Sequence, residues 1–247
     1  MPAGSESPPF TSPSGRSRPP VVFRQTLPFT CGPAALLSVL ISSGASGSGL
    51  GRGVAEVDLW RESTAVACPG SHPLGLALAA ERRGFRARLA WQGSRPWLWS
   101  HIRSEHALLR KSDYLRIETA WLDECQRHGT LTPSPFAPCE GGGLLLVTAS
   151  GPKGSDRLDP HWVGLWKGPR GVYLLNPLRK APQPCPESAE ELWSRSGFQG
   201  TRCWLSLEPN GKTRADWGSS RRPAPENLNR RTMELRKRFG RSTLPRL

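Results

Sequence analysis

The 247-residue chain carries a net charge of +14, from 34 Lys and Arg against 20 Asp and Glu, and 36% of its residues are hydrophobic. That length allows one well-packed core, and the 26 Gly and 25 Pro indicate that part of the chain lies outside it. No stretch approaches the roughly twenty apolar residues of a transmembrane helix, and no secretion signal is evident at the start. We therefore expect a soluble, cytoplasmic protein.

The composition divides the chain into three predicted parts. Residues 1–20 form a Pro/Ser-rich lead-in that we expect to be disordered, residues 21–207 form the folded domain, and residues 208–247 form a disordered or partly helical tail. The tail holds 11 Lys and Arg against 4 Asp and Glu, a net +7 and half of the total. Its plainest interpretation is a solvated tail. The alternative is weak contact with RNA, an anionic membrane or an acidic partner, although no nucleic-acid motif accompanies it.

The first predicted element follows a cysteine in "RQTLPFTCGPAALLSVL", residues 24–40. From residue 34 to 41 only Ser38 is polar, which predicts a helix buried on all sides. Thr30 is placed to cap that helix. Cys31 then lies at the helix start, where unpaired N–H groups and the helix dipole favour a thiolate and therefore a nucleophile.

Helices dominate the chain as far as residue 128, and strands follow. Further helices are predicted from Val54, from Pro73 and over 96–128, and a short strand, "FRARLAW", follows Gly84. Apolar strands are predicted at 141–150, 161–168, 171–178 and 201–207, with a short helix at 187–196. Helices first and strands afterwards indicate an α+β fold with a C-terminal antiparallel sheet.

The turn "GPRG" sets a register for the strands on either side of it. Lys167 should pair with Val172, and counting outward places His161 opposite Leu178, with Asn176 on the diagonal. The two polar side chains then share one face of the sheet. A slip of one residue would separate them.

Together, Cys31, His161, Asn176 and Gln25 supply the parts that a thiol protease needs. A thiolate attacks, an imidazole moves the proton, a third side chain orients the imidazole, and N–H groups, here the glutamine amide and the cysteine backbone, hold the oxyanion. Plainer interpretations remain open: the cysteine as a small core residue, the histidine bonded to a carbonyl, the asparagine as a turn former and the glutamine as a surface residue.

The same two blocks resemble the bacteriocin-processing cysteine peptidases, papain-like domains that remove double-glycine leaders. "RQTLPFTCGPAALLSVL" is similar to their opening signature, and "DPHWVGLWKGPRGVYLLNP" is similar to their His and Asp/Asn block. "LWREST", "HPLGLALAAERRGF" and "PHWVGL" resemble a stand-alone bacterial branch without the transporter. The resemblance extends from about Val21 to Leu207 and implies a papain-like peptidase domain with a peptide or protein substrate.

The resemblance also implies a role for each residue of the set. Cys31 would be the nucleophile, His161 the general base and acid, Asn176 the orienting residue and Gln25 the oxyanion donor, with no cofactor and no metal. The six cysteines agree with the last point, because none forms the C-x-x-C pair of zinc ribbons and redox motifs. His72 is assigned to a loop or to the wall of a substrate groove.

The third catalytic position departs from the family pattern. Many relatives carry Asp where this chain has Asn176, although papain itself uses Asn in that role. Asp159 is a weaker candidate because Pro160 is expected to distort the strand. Two alternatives to proteolysis are a catalytically silent domain that binds a leader or extended peptide, and other amide chemistry such as deamidation or acyl transfer.

Overall fold

The computed structural model describes residues 19–44, 54–64, 70–93, 111–130, 142–150, 158–168, 170–185, 187–198 and 200–210. The described helices are α1 (Cys31–Ser42), α2 (Val54–Ser63), α3 (Pro73–Glu81), α4 (Lys111–Arg127) and α5 (Ala189–Arg195). The described strands are β1 (Phe85–Gln92), β2 (Gly143–Ser150), β3 (Leu158–Gly168), β4 (Gly171–Leu175), β5 (Gln183–Cys185) and β6 (Arg202–Pro209).

Several predictions concern residues outside these ranges. They are the disordered lead-in up to residue 18, the helical stretch over 96–110 and the basic tail beyond residue 210. No helix in the described part of the chain is long and apolar enough to cross a membrane. The cytoplasmic location and the anionic partner of the tail stay predictions.

The six described strands form one antiparallel sheet in the order β1-β6-β2-β3-β4-β5. This confirms the predicted α+β class with its antiparallel sheet. β5 was not predicted, because "QPC" is only three residues long and contains a proline. It lies at the sheet edge, where a proline does not interrupt a ladder on both sides.

Helix α1 is buried on all sides, as its composition predicts. Every residue from Cys31 to Leu40 is buried, and the helix lies against β3. Gly164 of β3 allows this close approach, because a Cβ at that position would lie 3.0 Å from Val39 Cγ2 and 3.1 Å from Leu175 Cβ. A second buried cluster, covered by Leu192 and Trp193 of α5, consists of Leu145, Val163, Leu165 and Trp204.

Two serines of α1 bind the extended segment that leads into the helix. Ser38 Oγ accepts a hydrogen bond from the backbone N–H of Phe23 at 2.8 Å and donates to the carbonyl one turn earlier in its own helix at 2.7 Å. Ser42 Oγ accepts from the backbone N–H of Val21 at 2.9 Å. The one polar residue of the apolar run therefore holds the strand-like segment that carries Gln25.

The β3–β4 hairpin has the predicted register where the strands pair, but β4 ends at Leu175, so the predicted pair of His161 with Leu178 does not form. Lys167 pairs with Val172 and Gly168 pairs with Gly171. The expected distortion at Pro160 was wrong, because β3 pairs with β2 through this residue, opposite Thr148. β4 pairs only with residues 164–168, so Pro160 lies where the described strand has a neighbour on one side and its missing N–H is tolerated.

Candidate active site

Cys31 is the first residue of α1, and its thiol is buried beside the strand that carries His161. The backbone N–H groups of Trp162, Gly32 and Cys31 itself lower the pKa of the thiol, against the effect of burial. Trp162 directly follows His161 in β3. The thiol therefore lies next to the backbone of the predicted base.

The N–H groups around the sulfur do not make the thiolate the favoured form. Burial raises the pKa of the Cys31 thiol above its ordinary value, and the hydrogen bonds from Trp162, Gly32 and Cys31 act in the opposite direction without overcoming it. Burial therefore opposes the thiolate that the N–H groups of the helix start were predicted to favour. The helix-start donors are present, but desolvation outweighs them.

Thr30 occupies the N-cap position of α1, but its side chain does not cap the helix. Its hydroxyl lies 2.9 Å from the carbonyl oxygen of Leu27 and in close contact with Glu56 Oε1. The sequence therefore indicated the right position and the wrong hydrogen-bond partner. The Thr30 hydroxyl therefore bonds outside α1 and does not pair with a backbone N–H of the helix.

Gly32 allows the start of α1 to pack closely on the residues that precede α3. A Cβ at this position would lie 2.9 Å from Ser71 Cβ and 3.1 Å from Leu76 Cδ1. Trp162 Nε1 donates to the carbonyl of the same Ser71 at 3.3 Å. The cysteine-bearing helix start and the histidine-bearing strand are thus fixed to one common point.

His161 is hydrogen-bonded to Asn176, and the geometry determines which ring nitrogen carries the proton. His161 Nε2 lies 3.1 Å from Asn176 Oδ1, and the backbone N–H of Leu178 donates to the same Oδ1 at 3.0 Å. A backbone N–H can only donate, so that side-chain atom must be the amide oxygen. His161 Nε2 must therefore be the donor, which leaves the lone pair of the neutral ring on Nδ1.

The environment of His161 favours this neutral ring. Burial lowers the pKa of His161 below its ordinary value, while the hydrogen bond to Asn176 acts in the opposite direction. This hydrogen bond offsets only part of the effect of burial on the pKa, because the amide of Asn176 carries no charge to stabilise an imidazolium. Burial thus favours the neutral form of both the thiol and the imidazole.

Gln25 is tied to the residue that follows Asn176. Its backbone N–H donates to the carbonyl of Pro177 at 3.2 Å, and its side-chain Nε2 donates to the carbonyl of Leu27 at 3.0 Å. Gln25 Oε1 is buried without a hydrogen-bond partner among the described residues. The side-chain amide has two N–H groups, so one remains for a further acceptor.

The four predicted residues therefore belong to one connected set of contacts. Helix α1, which begins at Cys31, packs on β3, which carries His161. His161 bonds to Asn176, and Pro177, the neighbour of Asn176, bonds to Gln25. The loop from residue 26 to 30 joins Gln25 back to Cys31 and closes the set. Gln25 and Pro177, which are 152 positions apart in sequence, meet in this way.

The sequence interpretation missed Glu56, which is fully buried beside this loop. Its carboxylate accepts hydrogen bonds from both the backbone N–H and the hydroxyl of Thr26, at 2.9 and 2.7 Å, and contacts the hydroxyl of Thr30. The spacing of Glu56, Leu59 and Ser63 puts these residues on one helix face, and this pattern could have indicated that Glu56 is buried. All three are fully buried in the structure. A glutamate on a buried stripe points to a specific polar partner.

His72 lies in the loop directly before α3, as predicted, and it is buried. It is the N-cap of α3, where its Nδ1 accepts from the backbone N–H of Leu74 at 3.1 Å, and Nε2 lies 3.3 Å from Glu118 Oε1. The ring packs on Trp121 with centroids 5.2 Å apart. Both ring nitrogens are used to hold the fold together.

The other described cysteines differ from Cys31 in their surroundings. Cys125 and Cys203 are buried in the core, and burial raises the pKa of Cys125 to about 12 and also raises that of Cys203. Neither is at the start of a helix. Within the described ranges, no group of three or more His, Cys, Asp or Glu side chains could hold a metal ion.

Residues 20–181 match the Peptidase_C39 like family. The chain belongs to this family. The match confirms the resemblance that the cysteine and histidine blocks indicated, and it makes this a peptidase-like domain. No curated protein matches the chain.

Two solved structures are similar to this chain at low identity. One is the peptidase domain of Streptococcus ComA, a bi-functional ABC transporter involved in a quorum sensing pathway, with 18% identity and a TM-score of 0.37 over 77% of this chain and 98% of that one. The other is a double glycine motif protease from an AMS/PCAT transporter in complex with the leader peptide, with 20% identity and a TM-score of 0.36 over 79% of this chain and 94% of that one.

Proposed function

We propose that this protein is a cysteine peptidase in which Cys31 is the nucleophile, His161 the base and acid, Asn176 the orienting residue and Gln25 the oxyanion donor. The observation that carries the proposal is the proton position on His161. Because Nε2 donates to an amide oxygen that Leu178 fixes in place, the basic lone pair lies on Nδ1. The backbone N–H of Trp162, the next residue of the strand, lowers the pKa of the Cys31 thiol.

The reaction starts from a neutral thiol and a neutral imidazole. As the Cys31 sulfur attacks the peptide carbonyl carbon, its proton passes to Nδ1 of His161 and the carbonyl oxygen becomes an oxyanion. The second N–H of the Gln25 amide and the Cys31 backbone N–H donate to that oxygen. Imidazolium then protonates the leaving amine as the C–N bond breaks, which leaves a thioester on the sulfur.

Water completes the cycle. His161 removes a proton from the water as its oxygen attacks the thioester carbon, and the C–S bond breaks. The sulfur recovers its proton from the imidazolium, and the acid product leaves. We expect cleavage after small residues in a leader or linker peptide, as the resemblance to double-glycine peptidases implies.

The proposed peptidase domain spans residues 21–207, beyond the end of the family match at residue 181. β6 supports this extension, because it lies between β1 and β2 in the sheet and pairs with both. A chain ending at residue 181 would lose β6 and leave β1 without its strand neighbour. Sheet continuity therefore supports a domain that extends to β6, which ends at Pro209.

One observation favours a second candidate function. Burial raises the pKa of the Cys31 thiol and lowers that of His161, so a reactive thiolate–imidazolium pair is disfavoured in this structure. A catalytically silent domain that binds a leader or extended peptide would tolerate this state. Deamidation or acyl transfer on the same site is a third candidate, since it shares the thioester step.

A peptide library separates these functions. The purified full-length chain is incubated with a proteome-derived peptide mixture, beside Cys31→Ala and His161→Ala variants, and the products are identified by mass spectrometry. New peptide termini made by the wild type and absent with Cys31→Ala would support the peptidase. Intact peptides with a Gln or Asn converted to the acid would indicate deamidation. Unchanged peptides retained by the immobilised wild type and by Cys31→Ala alike would favour the silent binding domain.

A further inference from the structure

Glu56 is a carboxylate with no exposed surface and no Lys, Arg or His partner among the described residues. It lies in the first turn of α2, next to Ala55, and Leu59 is buried on the same face. Burying a carboxylate without compensation costs several kcal/mol, on the order of what unfolds a small domain. The hydrogen bonds that Glu56 receives must therefore be strong structural determinants.

All of those hydrogen bonds come from one loop. Glu56 Oε1 accepts from the backbone N–H of Thr26 at 2.9 Å, Oε2 accepts from the Thr26 hydroxyl at 2.7 Å, and Oε1 also contacts the Thr30 hydroxyl. Charge-assisted hydrogen bonds of this kind are about twice as strong as neutral ones. Phe29 of the same loop packs on Trp60 of α2, with ring centroids 5.0 Å apart.

We propose that Glu56 is a positioning residue that sets the distance and orientation between the oxyanion donor and the nucleophile. Thr26 directly follows Gln25, and Thr30 directly precedes Cys31, so one carboxylate holds both ends of the five-residue connection, 26–30. The inference rests on the proposed function for its catalytic meaning. The hydrogen bonds themselves stand without it.

The buried Glu56 carboxylate restricts the loop of residues 26–30 to one conformation. If the loop shifted, the carboxylate would lose donors that water cannot replace in a fully buried position, so the loop and the carboxylate are held to one arrangement. Gln25 would otherwise depend on its bonds to Pro177 and Leu27 alone. A misplacement of about 1 Å in a catalytic group can cost about 100-fold in rate.

The test uses two readouts on the full-length chain. Hydrogen exchange of the backbone amides in residues 24–31 reports loop order whether or not the protein is an enzyme. Cleavage of a quenched fluorescent peptide with a Gly-Gly junction, or of the best library peptide, reports kcat and KM. The variants are Glu56→Gln, Thr26→Val and Thr30→Val, each of nearly unchanged volume, with Thr26→Ser and Thr30→Ser as versions that keep the hydroxyl.

We expect Glu56→Gln and Thr26→Val to accelerate exchange in residues 24–31 and to lower kcat about 10- to 100-fold with a smaller change in KM. Thr26→Ser and Thr30→Ser should restore most of the rate. The stability control is Leu59→Ala, a cavity variant of the same helix that removes none of these hydrogen bonds and should cost about 2–5 kcal/mol. Among variants that remain folded, it should keep the slow exchange of the loop.

The outcomes separate the two proposals. If the wild type cleaves no peptide but Glu56→Gln loosens the loop, the peptidase proposal fails and the structural part of the inference survives. If the wild type cleaves and Glu56→Gln keeps both the slow exchange and the wild-type kcat, the positioning role is overturned. Equal losses of kcat in Glu56→Gln and in Leu59→Ala would also overturn it, since a general loss of stability would then explain both.

Discussion

Two buried histidines of this chain differ in what their ring nitrogens do. In both, a backbone N–H fixes the tautomer: Leu74 N–H donates to Nδ1 of His72, and Leu178 N–H fixes the oxygen that receives Nε2–H of His161. His72 uses its second nitrogen for Glu118, whereas no described residue hydrogen-bonds to Nδ1 of His161. A histidine with both nitrogens engaged is a structural element, and one with a free lone pair, on the strand that packs against the cysteine-bearing helix, is a candidate catalyst.

The partners differ in charge as well. His72 faces a carboxylate that is itself buried, and His161 faces a neutral amide. Burial lowers the pKa of both rings, and Glu118 and Asn176 each oppose it in their own pair. The comparison shows that burial alone does not identify a catalytic histidine, because the accessible lone pair is what distinguishes the two.

The largest expected effect is on catalysis. His161→Ala should lower kcat/KM for peptide cleavage by about 10²- to 10⁴-fold, because the thiol proton loses its acceptor. His72→Ala should leave the rate per folded molecule close to that of the wild type. Steady-state assays at matched folded fractions check this, and a similar loss in both variants would break the distinction between the two histidines.

The free energy of unfolding should show the opposite order, with a large loss for the His72 variant. His72→Ala removes the N-cap of α3 and leaves Glu118 buried without its partner, so the free energy of unfolding should fall by about 2–4 kcal/mol. Glu118→Gln keeps a hydrogen-bond acceptor and should cost less. Urea titrations measure both. A change in His72→Ala within about 0.5 kcal/mol would show that the buried pair contributes little.

Exchanging the partner sharpens the comparison further. Asn176→Asp gives His161 the carboxylate that His72 has, and a nearby negative charge should raise the pKa of the imidazole. Each unit of that rise favours the thiolate–imidazolium pair about tenfold, so alkylation of Cys31 by iodoacetamide at neutral pH should accelerate. Unchanged alkylation would mean that Asn176 does not control the charge on His161.

The smallest expected effect is on the pH dependence of unfolding. Both histidines have a lowered pKa in the folded protein, so the unfolded chain binds more protons below about pH 6.5 and the free energy of unfolding should fall with falling pH there. The slope is at most about 1.4 kcal/mol per pH unit for each histidine. His72→Gln should flatten the curve, and a slope unaffected by this change would contradict the assignment.

Much of the site could be predicted because its parts follow from local patterns. The unbroken apolar run predicted the buried helix behind Cys31, and the tight turn predicted the register that brings His161 and Asn176 onto one face. Family signatures added Gln25, whose backbone N–H donates to the carbonyl of Pro177. These features depend on periodicity, turn length and short motifs, which a single sequence displays.

The rest depends on burial and on partners far along the chain. The thiolate prediction considered the N–H donors of the helix start and not the desolvation of Cys31. The Thr30 side chain does not cap α1, and its hydroxyl contacts Glu56, which is 26 residues away in sequence. The contact between His72 and Glu118, which are 46 residues apart, likewise depends on the packing of α3 against α4. Pairs of this kind leave no local pattern.

The most direct test of the central claim is acylation of Cys31. The protein is mixed with a Gly-Gly peptide 4-nitrophenyl ester, and the burst of nitrophenol is followed together with the mass of the acid-quenched chain. The account predicts a burst of about one equivalent and a thioester on Cys31, both absent in Cys31→Ala and strongly slowed in His161→Ala. Equal nitrophenol release by the wild type and Cys31→Ala, with no adduct on the wild-type chain, would contradict it.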